Sequence, residues 1–141
     1  MSRIKIVPPP DFSFSTLIPI RITDLNYGGH VGNDTVLTLC HEARVQFLSS
    51  YGYTEMNLEG ISLIMSDAAI EFKNESFYGD QLRAYVRAYQ FSRAGFDIFY
   101  KLVREGDEKI IAIAKTGMIC FNYDKRKVVS LPTALQEKLS S

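Results

Sequence analysis

The sequence predicts an α+β domain in which one long helix packs on an antiparallel sheet of long strands. Three observations point there. Val36, Leu39, Cys40, Ala43 and Phe47 recur at helical spacing and share a stripe about 100° wide. From residue 61 onward, four successive runs carry apolar residues in a largely alternating pattern, the period of half-buried strands. The 141 residues hold no repeat, low-complexity tract or linker, which is one domain's worth of chain. A sheet with one apolar face must cover it, and the striped helix is the element able to do so.

In chain order, residues 1–13 read as a loose lead-in, because Pro8, Pro9 and Pro10 cannot join a ladder or a helix interior. Phe14 to Thr23 suits a short strand, with Pro19 placing it at a sheet edge. Asp24-Leu-Asn-Tyr-Gly-Gly-His-Val-Gly-Asn-Asp34 holds three glycines and two asparagines and reads as a loop with unusual backbone angles. The helix follows, capped by Asn33 or Asp34 and ending near Ser50, about 17 residues or ~26 Å. Strands are expected over 61–72, 80–91, 95–103 and 109–121, the last two joined at Gly106-Asp107. Lys125-Arg126-Lys127 reads as a turn, and residues 132–141 as a C-terminal tail with a short helix. Strand order does not follow from these patterns.

Apolar residues make up 46% and charged residues 23%, with 16 Lys and Arg balancing 16 Asp and Glu. A neutral chain lacks the basic excess that drives nucleic-acid binding by counterion release, so no nucleic-acid partner is expected. No apolar run approaches the ~20 residues that span a bilayer, and no secretory leader is visible. A cytoplasmic protein without a membrane partner is the expectation. Cys40 and Cys120 lie in apolar segments and read as buried free thiols. No metal-ligand spacing, Walker loop or nucleophile elbow occurs.

The chemistry-bearing residues gather in the glycine-rich loop. A helix N-terminus presents unpaired backbone N–H groups and partial positive charge, which can polarise a carbonyl and stabilise the oxyanion formed on attack. Asp24, Asn26, His30 and Asn33 beside it supply the parts for acyl transfer. Tyr27, Gly28, Gly29 and Gly32 are candidate substrate contacts, since glycine allows close approach. The same residues also suit a structural role, with Asp24 and Asn26 capping turns and Asn33 the helix. Glu42 is either a surface residue or a second carboxylate facing the loop. His41 and Arg44 read as solvated. Arg83, Arg87 and Arg93 could meet a nucleotide's phosphates, or simply decorate an exposed strand face.

The loop, followed by His41-Glu-Ala-Arg-Val-Gln-Phe-Leu48, resembles the signature of the hotdog-fold acyl-CoA thioesterases of the 4-hydroxybenzoyl-CoA thioesterase type. Tyr78-Gly-Asp-Gln-Leu82 resembles the family's start of a long strand, and Thr116 to Phe121 with Pro132 its last strand and exit. The resemblance covers roughly residues 15–133. It implies a hotdog fold, a long helix wrapped by a five- or six-stranded antiparallel sheet. It also implies a homodimer or dimer of dimers with sites at the subunit boundary, an acyl- or aroyl-CoA substrate, and no metal or cofactor. The N–H groups near Gly32 and Asn33 match the carbonyl-polarising position, and Asn26 falls where one branch carries its catalytic carboxylate. Asparagine is no base, and the loop is closer to the branch of plant acyl-carrier-protein thioesterases. That likeness makes His30 the residue that activates or orients water, since a histidine near ~6.5 suits a general base. Asn26 would hold the water or carbonyl, and Asp24 would orient His30 or act as base. A carrier-protein thioesterase and a non-catalytic acyl-thioester-binding module on the same fold are the alternatives. A hotdog dehydratase fits less well, because Val31-Gly32 follows His30.

Overall fold

A computed structural model describes residues 2–140. The elements are β1 (Phe14–Pro19), a 3₁₀ turn (Ile22–Asp24), α1 (Asn33–Ser49), β2 (Ser62–Phe72), β3 (Gln81–Ser92), β4 (Gly95–Arg104), β5 (Ile110–Asn122), β6 (Lys127–Val128) and α2 (Thr133–Ser140). Neighbouring strands run antiparallel in the order β1-β3-β4-β5-β2, and the two-residue β6 extends β5 through Phe121 and Val128. This is the hotdog architecture, with six strands. Pro19 sits on the edge strand β1, where its missing N–H costs no ladder bond.

The alternation in β3 sets the two faces. Leu82, Ala84, Val86 and Ala88 are buried beneath α1, while Arg83, Tyr85, Arg87 and Tyr89 point to the other side. Small residues on the inner face, Ala84, Ala88, Ala112 and Ala114, leave room for the helix to lie close. Phe47, Cys40 and Ala43 on its stripe are fully buried there. Replacing Phe47 by Ala would cost about 3–5 kcal/mol by the usual cavity penalty. Both cysteines are free and buried, as expected.

Two expectations need correction. The helix N-cap is Gly32, not Asn33 or Asp34, and no side chain caps it. Within the segment read as a loose lead-in, residues 2–13 form a strap across the outer sheet face. Ile6 N–H donates to Glu71 (2.6 Å), Asp11 pairs with Arg87, and Phe12 packs on Tyr85. The strap explains how Phe99, opposite Arg87 in the β3–β4 register, is only 2% exposed. The short helix expected near the C-terminus is α2, and it docks with Leu135 and Leu139 buried in the core.

β2 is the other edge. Its inner-facing Met65 and Phe72 pair in register with buried Met118 and Ala112, yet they remain 43% and 51% exposed. The helix lies over β1 and β3 and leaves this end of the inner face open.

Candidate active site

The loop before α1 is built from short backbone bonds. Asn26 N–H donates to the His30 carbonyl (2.8 Å), and Gly29 N–H donates to the Asn26 carbonyl (3.1 Å) with Gly29 at φ +79°. A β-carbon there would be strained, so glycine is required. Val31 N–H donates to the Ser76 carbonyl (2.8 Å), tying the loop to the β2–β3 connection. The Asn26 side-chain oxygen accepts from Gly28 N–H (2.8 Å).

This geometry brings Asn26 and His30 together. A β-carbon at Gly28 would stand 3.3 Å from both Asn26 Oδ1 and His30 Nε2. The glycine therefore lets the carboxamide and the imidazole flank one point. His30 Nδ1 lies 3.1 Å from the Val31 carbonyl. A carbonyl can only accept, so Nδ1 carries a proton there, and the tautomer with that single proton has its lone pair on Nε2.

His30 and Asn33 line a cleft of about 190 Å³ between the start of α1, the end of β2 and β5. Val31, Val36, Phe72 and Ile111 form its apolar wall, and Lys73, Asn74, Glu75 and Ser76 its polar wall. Asn33 and Asp34 open the helix, and their N–H groups have no hydrogen-bond acceptor among the described residues. The first turn of α1 thus presents donors and the positive end of the helix dipole beside the histidine.

The other sequence candidates lie elsewhere. Asp24 is 4% exposed; its carboxylate accepts from Arg21 N–H (2.8 Å) and meets the Arg21 guanidinium (3.6 Å), with no contact to His30. Tyr27 projects fully into solvent. Glu42 accepts from Gln46 (2.8 Å) in a groove between α1 and β1, not in the His30 cleft. Arg83 is held by Glu105 (2.9 Å), and Arg87 by Asp11. Arg93 alone of the three carries no acidic partner among the described residues; it shares a groove with Lys127.

Two things were missed. The polar wall at 73–76 is exposed loop without periodicity, so no pattern marks it. Arg44 is not solvated but buried: Nε donates to Glu55, and Nη1 donates to Tyr100 Oη (3.0 Å), which in turn bonds Thr116 Oγ1 (2.7 Å). The signal was available, because Arg44 falls four residues after Cys40 and three before Phe47, on the apolar stripe.

Residues 20–139 match the family model described as the thioesterase-like superfamily. The chain belongs to this superfamily. It is 27% identical over 125 residues to the 1,4-dihydroxy-2-naphthoyl-CoA hydrolase of Thermosynechococcus vestitus, covering 86% of this chain and 85% of that one. It is 30% identical over 121 residues to the enzyme of the same name from Acaryochloris marina, covering 82% and 88%. The solved 1,4-dihydroxy-2-naphthoyl-CoA thioesterase from Synechocystis superposes with a TM-score of 0.82 at 25% identity, over 91% of this chain and 96% of that one. A thioesterase-superfamily protein from Jannaschia gives a TM-score of 0.83 at 19% identity, over 94% and 84%, a likeness of fold. The protein is thus an enzyme of the thioesterase class, and no helix among the described residues is long and apolar enough to cross a membrane.

Proposed function

We propose that the protein hydrolyses an aroyl-CoA thioester, of the hydroxynaphthoyl kind named for its relatives, to the free acid and CoA. The observation that carries the reading is one cleft holding a histidine with a free Nε2 beside the unsatisfied first turn of a helix. The thioester carbonyl would lie against the Asn33 and Asp34 N–H groups, which stabilise the oxyanion as it forms. His30 Nε2 takes a proton from water as its oxygen attacks the carbonyl carbon. Collapse breaks the C–S bond, and the departing thiolate takes that proton. Asn26, across Gly28 from the ring, holds the water in place. A cleft of about 190 Å³ with Val36, Phe72 and Ile111 on one wall fits a ring system better than a long alkyl chain.

Two further features support parts of the reading. Arg93 and Lys127 line a shared groove and have no acidic partner among the described residues, which suits the phosphates of the CoA head. The open β2 edge, with exposed Met65 and Phe72 on its inner side, suits pairing with a second copy, which would close the cleft at a subunit boundary. One observation favours the alternative of an acyl-thioester-binding module: Asn26, which cannot act as a base, stands beside His30. A free-thiol assay across a panel of aroyl-CoA, alkanoyl-CoA and carrier-protein thioesters separates these. Fastest kcat/KM on the aroyl esters is expected. Saturable binding without thiol release would select the binding module.

A further inference from the structure

One acidic residue lines the same cleft as His30. It is Glu75, on the connection between β2 and β3. The neighbouring carboxylates are engaged elsewhere. Asp24 faces Arg21, and Asp80 accepts from the Ser76 hydroxyl (2.9 Å) and the Phe77 N–H (2.9 Å). Glu71 holds Ile6 N–H and Lys73, so the one cation lining the cleft is itself neutralised. Asp34 folds back over Gly32. The Glu75 carboxylate has no hydrogen-bond or ion-pair partner among the described residues.

Its backbone, in contrast, is fixed. The Glu75 carbonyl accepts from Arg104 Nη1 (2.9 Å), and Arg104 is in turn held by Asp107 and Asp80. The next carbonyl, Ser76, accepts from Val31 N–H, one residue from His30. Ser76 is 1% exposed. An unpaired carboxylate is thus carried on an anchored loop that is stitched to the backbone of the histidine.

We propose that Glu75 is the catalytic carboxylate of this cleft, acting with His30 on the hydrolytic water; the inference rests on the thioesterase reading above. The water gives one proton to His30 Nε2 as its oxygen bonds the thioester carbon. Its second hydrogen is held by the Glu75 carboxylate, whose negative charge also opposes the imidazolium that forms. When the C–S bond breaks, the imidazolium proton passes to the thiolate, and Glu75 ends in the charge state it began in. Atoms and charge balance as thioester plus water giving acid plus thiol.

The test uses the full chain and the CoA ester that it turns over best. Glu75→Gln is expected to lower kcat about 30- to 100-fold with KM within threefold. Its urea midpoint should stay in place, because the side chain is exposed. Adding Asn26→Asp, which places a carboxylate beside His30 Nε2 across Gly28, is expected to recover at least tenfold of the loss in kcat. A Glu75→Gln enzyme that keeps kcat within twofold, or an Asn26→Asp background that recovers nothing, each overturns the assignment. A parent enzyme that releases thiol from no CoA ester overturns the thioesterase reading and the assignment together. Parent turnover with an unaffected variant overturns the assignment alone.

Discussion

Two polar clusters lie along helix α1, and they differ in what is left over. Around Arg44 every group has a partner: Glu55 and Tyr100 take the guanidinium, Thr116 takes the tyrosine hydroxyl, and His41 meets the second Glu55 oxygen at 3.3 Å. Burial pushes the Tyr100 hydroxyl up to about 12, so it stays a neutral donor and acceptor. At the helix start the opposite holds. His30, Asn33 and Glu75 line a cleft there, and the Asn33 and Asp34 N–H groups and the Glu75 carboxylate have no protein partner among the described residues. No buried side-chain polar atom among the described residues goes unsatisfied. Polar groups with complete partners hold a fold together, and polar groups left open beside one another are available to a substrate.

The contrast can be broken first at the satisfied cluster. Glu55→Ala strands a buried guanidinium and is expected to cost about 3 kcal/mol by urea denaturation, with kcat per folded molecule retained. The same cluster has a pH signature. Burial raises the Glu55 carboxyl, but the hydrogen bond and charge of Arg44, aided by His41, outweigh it and hold the group below its ordinary 4.5. A carboxyl lowered on folding adds stability that is complete above about pH 4.5 and is lost as pH falls through its lower folded value. Glu55→Gln should therefore flatten the acid side of the stability curve; an unchanged curve would show that the pair contributes nothing. The smallest effects belong to the outer face. Arg83→Ala and Arg87→Ala, which break existing ion pairs on the sheet, should leave KM within twofold, while Arg93→Ala raises it several-fold with kcat little changed.

Much of this was legible in the sequence. The five longer strands and the helix stand within a few residues of their expected bounds, because alternation and a 3.6-residue stripe report burial directly. β6 was hidden inside the Lys125-Arg126-Lys127 turn, since two exposed residues carry no period. The order β1-β3-β4-β5-β2 depends on pairings far apart in sequence, which no local pattern encodes. The strap was misread for a related reason: three prolines forbid a ladder, but not packing of Ile6 and Phe12 onto a sheet face. In the site, the glycine-rich loop announced His30 and Asn26. Yet the same loop also turned Asp24 inward to Arg21, and only three dimensions show which polar side chains face the cleft. Glu75 entered from a connection forty-five residues downstream of His30, through the Val31–Ser76 bond.

The central claim is that the cleft at the start of α1 performs thioester hydrolysis with His30 as its base. Thiol release from a saturating aroyl-CoA by the parent enzyme and by His30→Ala, measured side by side with their urea midpoints, tests it most directly. The account predicts a loss in kcat of about a hundredfold, or ~2.7 kcal/mol of transition-state stabilisation, at an unchanged midpoint. Equal rates in the two proteins would contradict it.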